Sequence, residues 1–504
     1  MQTRSLLGQS VAIVVLSITL QNSVIGVQAE RAAAGASAHL DAALAAYHRS
    51  DFEGAYSAAA AAASDADFAA LDEHTRHAAL SLAAETALRT NRPEQAHQFA
   101  VRATQMSEQG ISDWRNRLSA AMRSHDSADE AESLTMIAKN WGRDPSTLPA
   151  DTVNRVLRDT TGPQFRTGRY DLLQTLYDLR WQPGYARSAS GQWRELSLLL
   201  LENNDLQRAQ QVVSLVNNPY DIIAMRADLR YRPLLKSKYF DSNAERAAHR
   251  QIEALQAAVG VQPRSLALVL TWADALVRSR RNAEAITAID QAENRIAQSA
   301  AGTRAYDDLD ANYSWILNTK ANALRNLGRF DEAVDELQKA VELPHSVDKV
   351  SQPINLAELL CGLNRPDEAV KRLPPLESAS AYGKAQFYLV QLTVALERND
   401  RAEVDRTLMY LREHRDDAPD ALQEALLRAG ELAEAQQMLL ERLADPELRT
   451  ATLVGLQTYF ERPRPPNDAE WRARELKLGE NPAVRAEILK VGVIERYLWR
   501  YPGN

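Results

Sequence analysis

Apolar residues recur along nearly the whole chain at i, i+3, i+4 and i+7, the spacing that gathers them on one face of a helix. Alternating apolar and polar runs bounded by turn residues, the mark of strands, are nearly absent. The pattern predicts an all-α chain. Its clearest window runs from Leu317 to Pro344, where two apolar-periodic stretches flank Gly328. Gly328 can close the first helix in a left-handed conformation, Asp331 and Glu332 favour the N-terminal dipole of the second, and Pro344 stops it. Ala321 and Ala333 are small where two crossing helices need to approach closely.

A small residue followed by apolar partners four and seven positions later marks the second helix of such a hairpin. The marker recurs at Ala55/Ala59/Ala62, Ala96/Ala100/Ala103, Ala209/Val213/Val216, Ala285/Ile289/Ala292 and Ala369/Leu373/Leu376. Two turns share wording, Asn91-Arg92-Pro93 and Asn364-Arg365-Pro366, each placing Pro at the edge of a new helix where its missing N–H costs little. Degenerate copies, with the turn kept, are expected near Gly168-Arg169-Tyr170 and Gly430-Glu431-Leu432.

These windows resemble the tetratricopeptide repeat, whose pattern of small and large apolar positions recurs about every 34 residues. Leu317, Ala321, Leu324, Ala333, Leu337 and Ala340 occupy the matching places. The steps from Ala333 to Ala369, Val404 and Ala435 stay close to that period, and the longer step from Ala285 leaves room for an extended helix or insertion. The aromatic places of the first helix are mostly Leu or Ala, a departure that allows an irregular superhelix. The resemblance implies an α-solenoid of antiparallel helical hairpins, a right-handed superhelix of seven to ten hairpins, possibly in two lobes.

Four stretches are expected: a signal peptide over 1–29, an N-terminal degenerate helical lobe over 30–240, a repeat lobe over 241–460, and a Pro-rich linker with C-terminal capping helices over 461–504. The boundary near residue 240 follows a segment in which Tyr231 and Leu234 could cover the open face of a terminal hairpin. The leader reading rests on Arg4, an apolar run around Val11–Leu16 and the small residues Val27 and Ala29, with cleavage expected after Ala29; an uncleaved anchor is the alternative. No later run is long and apolar enough to span a membrane, so an exported chain, periplasmic or secreted, is expected.

The formal net charge of −8 is spread without long acidic or basic runs, which argues against a nucleic-acid partner. The basic and aromatic residues between Arg226 and Phe240 are assigned to the capping segment instead. Cys361 is the single cysteine, so no intrachain disulfide can form, and a buried packing role is expected for it. Phosphate-loop, dinucleotide and Gly-x-Ser-x-Gly patterns are missing, and none of the nine His residues is followed by Glu as a zincin requires. His74 and His77 could share a zinc ion, but a solvated helix face is preferred. Asp307, Asp308 and Asp310 are read as a helix cap. No catalytic residue, metal or cofactor is assigned.

The resemblance implies that first helices line a concave groove gripping an extended peptide. On the best repeat Asn318, Asn322 and Arg325 share a polar stripe, and Asn355 sits near the same stripe one repeat on. Asn offers both a donor and an acceptor to a peptide backbone, and Arg can fork onto a carboxylate. The expected function is a non-enzymatic scaffold or assembly factor of the cell envelope with a protein or peptide partner. The alternatives are a soluble accessory of exopolysaccharide or outer-membrane protein export, and an enzyme with an unfamiliar site between the two lobes, a reading motivated by chain length and the irregular region 105–200.

Overall fold

Helical hairpins form here because a left-handed residue follows each first helix. Asn91, Asn204, Asn364 and Asn399 take positive φ near 60°, as do Ser50, His125 and Arg280, and Gly328 and Gly430 sit at 75° and 84°. Asn reaches this region through local side-chain bonding and Gly without steric cost, whereas the others accept about 1 kcal/mol of strain. The next N–H then reaches back to a carbonyl the helix leaves unpaired, as from Arg92 to Ala87 at 2.8 Å and from Arg365 to Leu360 at 2.9 Å. That following residue starts the second helix in one of two ways. Asp51, Asp126, Asp205 and Asp400 cap it with a carboxylate, and Arg281, Arg329 and Arg365 clamp Glu284, Glu332 and Glu368.

The computed structural model describes residues 34–184, 188–299, 303–344 and 347–499, so the expected leader lies outside the described residues. The chain forms two compact units that divide between Thr175 and Leu176. In the first, α1 (Ala34–His48) turns into α2 (Phe52–Ser64), α3 (Glu73–Arg89) into α4 (Pro93–Thr104), and α5 (Ile111–Ser124) into α6 (Ser127–Trp141). Then come α7 (Ala150–Asp159) and α8 (Arg166–Asp178), which carries the division. Its core is unusually Ala-rich, with Ala59, Ala62, Ala83, Ala100 and Ala103 closing the helix crossings.

The second unit continues through α9 (Ser190–Glu202), α10 (Leu206–Val212), α11 (Pro219–Ala227) and α12 (Ala244–Val261). Five hairpins follow: α13 (Leu266–Arg278) with α14 (Asn282–Ala297), α15 (Leu309–Asn326) with α16 (Phe330–Glu342), α17 (Ser351–Gly362) with α18 (Pro366–Arg372), α19 (Ala381–Glu397) with α20 (Arg401–Glu413), and α21 (Pro419–Ala429) with α22 (Leu432–Ala444). The chain ends through α23 (Pro446–Gly455), α24 (Ala469–Gly479) and α25 (Pro482–Val491). A short parallel pair, β1 (Thr458–Tyr459) and β2 (Arg496–Tyr497), joins two stretches of this end. The molecule is an all-α array of antiparallel hairpins. No described helix is long and apolar enough to cross a membrane.

The end of the second unit returns to its beginning. Helix α11 packs on α23, Asp228 bridges to Gly492, and the Val493 N–H donates to the Ala227 carbonyl at 2.8 Å. Asp228, 1% exposed, accepts from the Thr450 hydroxyl at 2.6 Å and from the Arg230 guanidinium at 2.7 Å. Arg226 forks onto Glu495 at 2.6 and 2.7 Å. Residue 240 therefore falls within this unit, where Tyr231 and Leu234 are buried in its interior.

Several expectations change. Gly168 lies inside α8 and forms no turn; an added Cβ there would meet that of Ala131 on α6 at an ordinary contact distance of 3.5 Å. Leu373 and Leu376 lie beyond α18, which ends at Arg372 because Pro374 forces the residue before it into extended backbone. The stretch expected to be irregular contains the regular hairpin of α5 and α6, whose turn residue is His125. Asp308 caps a helix, but that helix is α13: its carboxylate accepts from the Leu266 and Ala267 N–H groups at 2.7 and 3.0 Å. The long step between Ala285 and Ala333 is taken up by the extended helices α14 and α15.

Candidate functional site

The first helices α15, α17, α19 and α21 carry polar residues at helical spacing opposite the apolar stripe that packs the array. Asn318, Asn322 and Asn355 are half-buried and Arg325 is buried. The structure joins two of them across helices, the Asn355 amide donating to Asn318 Oδ1 at 3.1 Å, while the Arg325 guanidinium reaches Glu358 at 3.3 Å. Arg325 thereby links α15 to α17 and has less freedom to fork onto a ligand than its sequence position suggested.

The strip continues onto residues that the sequence reading passed over. Tyr382 opens α19 with 60% of its surface exposed; burial of its hydroxyl end and the carboxylates Glu358, Asp420 and Glu424 raise its pKa. Glu358 is 45% exposed and Asp420 76% exposed, the latter bonded to Arg442 at 2.5 Å. Glu424 bonds to Arg428 at 2.6 Å, and Arg428 to Asp468 at 2.9 Å. Burial, with Glu358 and Asp468 nearby, raises the Glu424 carboxyl although 28% of its side chain meets solvent. Asp420, Glu424 and Arg428 recur every fourth residue on α21, the same stripe spacing as Asn318 and Asn322, and that spacing could have identified them.

The strip offers amides, carboxylates and a phenol side by side. Such groups can pair with a ligand by hydrogen bonding and charge. In the first unit, His74 turns to Glu108 at 2.6 Å and His77 to Asp113 at 2.9 Å, so the two rings serve different carboxylates. Ser81 completes a Ser, His and Asp group, but it and Asp113 both approach Nε2 of His77, at 3.4 Å for the hydroxyl. A general base needs one ring nitrogen for each neighbour, so this group is a link between hairpins. Among the described residues no His, Cys, Asp and Glu cluster is arranged to hold a metal ion. Cys361 is buried, and burial pushes its thiol up to about 12, which leaves it inert at neutral pH.

No protein-family model matches the chain, and no curated protein matches it. Among solved structures, a tetratricopeptide repeat protein from Parabacteroides merdae aligns at 12% identity over 65% of this chain and 97% of its own, with a TM-score of 0.29. Yeast Tom70 aligns at 12% identity over 90% and 99%, with a TM-score of 0.31. A structure of Naa15/Naa10 bound to HypK-THB aligns at 15% identity over 86% and 74%, with a TM-score of 0.34. Scores this low carry no argument about function, and the assignment rests on the chain's own architecture. With left-handed turns, alanine crossings at Ala321 and Ala333, and antiparallel hairpins succeeding one another along the chain, the fold is an all-α helical-hairpin solenoid, the architecture that the tetratricopeptide resemblance implies.

Proposed function

We propose that the protein is a non-enzymatic interaction scaffold that holds an extended segment of a partner protein along the strip from Asn318 to Glu424. The observation that supports this reading is the exposed Tyr382 set among Glu358, Asp420 and Glu424, continuous with the amides of Asn318, Asn322 and Asn355. An extended chain has unpaired N–H and C=O groups at regular spacing, which the amides can match, and a basic side chain would complete the carboxylates. The reading includes export, for which the order of residues in Met1–Ala29 is the support, and a place in the cell envelope.

The test is affinity capture from envelope extract with the chain from Glu30 onward, beside a variant carrying Asn318→Ala, Asn322→Ala, Asn355→Ala and Tyr382→Ala. Arg325 is left intact because it is buried against Glu358. A saturable partner lost by the folded variant supports the strip; equal capture moves binding to another face. N-terminal sequencing of the protein from the envelope fraction tests export, with Glu30 as the expected first residue.

A further inference from the structure

We propose that the row of hairpin turns from α13 to α21 is a separate receptor edge for extended proline-rich segments, occupied in this chain by its own residues 460–468. The edge meets the strip above at one residue, Arg428, which holds both Glu424 and Asp468, and its other contacts lie outside that strip. The segment expected to be a stiff linker lies across consecutive hairpins and meets the next turn every two or three residues. Arg280 stacks on the Phe460 ring at 3.4 Å. Pro463 faces Gly328, and Pro465 faces Gly362. The Asn467 amide donates to the Cys361 carbonyl at 3.1 Å and also bonds Glu397. Asp468 receives the Arg428 guanidinium at 2.9 Å.

Each contact has a chemical reason at a helix end. The Cys361 carbonyl at the end of its helix accepts from the Asn364 N–H at 3.0 Å, and the Asn467 amide occupies its second lone pair. Gly362 leaves the space that a proline ring fills, since a Cβ there would stand 2.8 Å from that of Pro465, whereas one on Gly328 would meet that of Pro463 at an ordinary contact distance of 3.4 Å. Proline needs no partner for a backbone N–H and arrives already extended, so ordering it costs little. The edge therefore reads Phe-x-x-Pro-x-Pro-x-Asn-Asp. Phe460 is still 42% exposed and Pro463 is exposed, while Pro465 is buried, so a partner segment of the same pattern would replace the occupant starting from its Phe460 end. Tethering gives the resident segment an effective concentration in the millimolar range, which suppresses binding in trans by roughly 100-fold.

The probe is a fluorescein-labelled peptide of residues 458–470, titrated into the full chain and into a variant with Phe460→Ala, Pro465→Ser and Asn467→Ala. The variant is expected to stay helical by circular dichroism and to bind the probe about 10- to 100-fold more tightly than the unaltered chain. Adding Gly362→Ala to the variant should undo most of that gain, and a probe with Pro463, Pro465 and Asn467 replaced by Ala should bind neither protein. A folded variant that binds no better than the unaltered chain, or that binds both probes alike, overturns the proposal. So does a variant that unfolds along with the milder Asn467→Ala, because a segment the fold cannot spare is no replaceable occupant.

Discussion

Two titratable residues of the first unit make its stability depend on pH in the same direction. Glu130, 1% exposed, has its carboxyl raised to about 7 by burial and by the Asp159 charge, and one of its oxygens has no hydrogen-bond partner. The folded chain then holds a proton that the unfolded chain releases near pH 4.5, so stability falls as pH rises from 4.5 through 7. Glu130→Gln, whose amide can donate to Asp159, should stabilise the protein by about 1–3 kcal/mol at pH 8 and have little effect at pH 4. Urea unfolding at the two pH values checks this. His77 is raised chiefly by its hydrogen bond to Asp113. Its contribution is full below the unfolded His value and is lost as pH climbs through the folded one, so His77→Gln should cost more at pH 5.5 than at pH 9. An equal cost at both would show that the pair acts without the imidazolium charge.

At the scale of elements, the turn is the unit that repeats. His125 takes φ 59° between α5 and α6 and is exposed, so His125→Gly should stabilise by about 1 kcal/mol by relieving the left-handed backbone. Gly430→Ala at φ 84° should cost a similar amount, read from the same denaturation midpoints. Between hairpins, Lys320 sits among Asp290, Glu293 and Glu336 at 2.7, 2.6 and 3.1 Å, and these carboxylates raise its pKa against the effect of burial. It ties α15 to α14 and α16 by charge where most of the array relies on apolar contact. Hairpins turning on Asn or Gly were legible from sequence, as at Asn91, Asn364, Gly328 and Gly430. At Ser50 and Arg280 the second helix was legible through Ala55 and Ala285 but the left-handed residue was not, and the hairpin at His125 was not legible, because the neighbouring crossings and helix starts impose a conformation that these residues do not announce.

At the scale of the second unit, closure depends on a residue with no chemistry of its own. A Cβ on Gly492 would stand 2.4 Å from the Leu453 side chain and 2.6 Å from the Ala227 carbonyl. Backbone cannot yield as a flexible side chain can, so Gly492→Ala should loosen the C-terminal attachment. Limited proteolysis should then cut between Gln457 and Phe460 faster than in the unaltered chain; unchanged cleavage would mean that Asp228, Thr450 and the Arg226 to Glu495 pair hold the closure without it. The sequence by itself determined the helices, the hairpin unit and the alanine crossings, because helical periodicity and turn chemistry are local. It also placed Asn318, Asn322 and Asn355 on one stripe. Tertiary structure decided that Arg325 is engaged by Glu358, that Tyr382, Asp420 and Glu424 extend the strip, and that Asp228 meets Thr450 and Phe460 meets Arg280. Those contacts join residues far apart in sequence, and which of them form is set by small rotations added at each hairpin, a quantity no local pattern encodes.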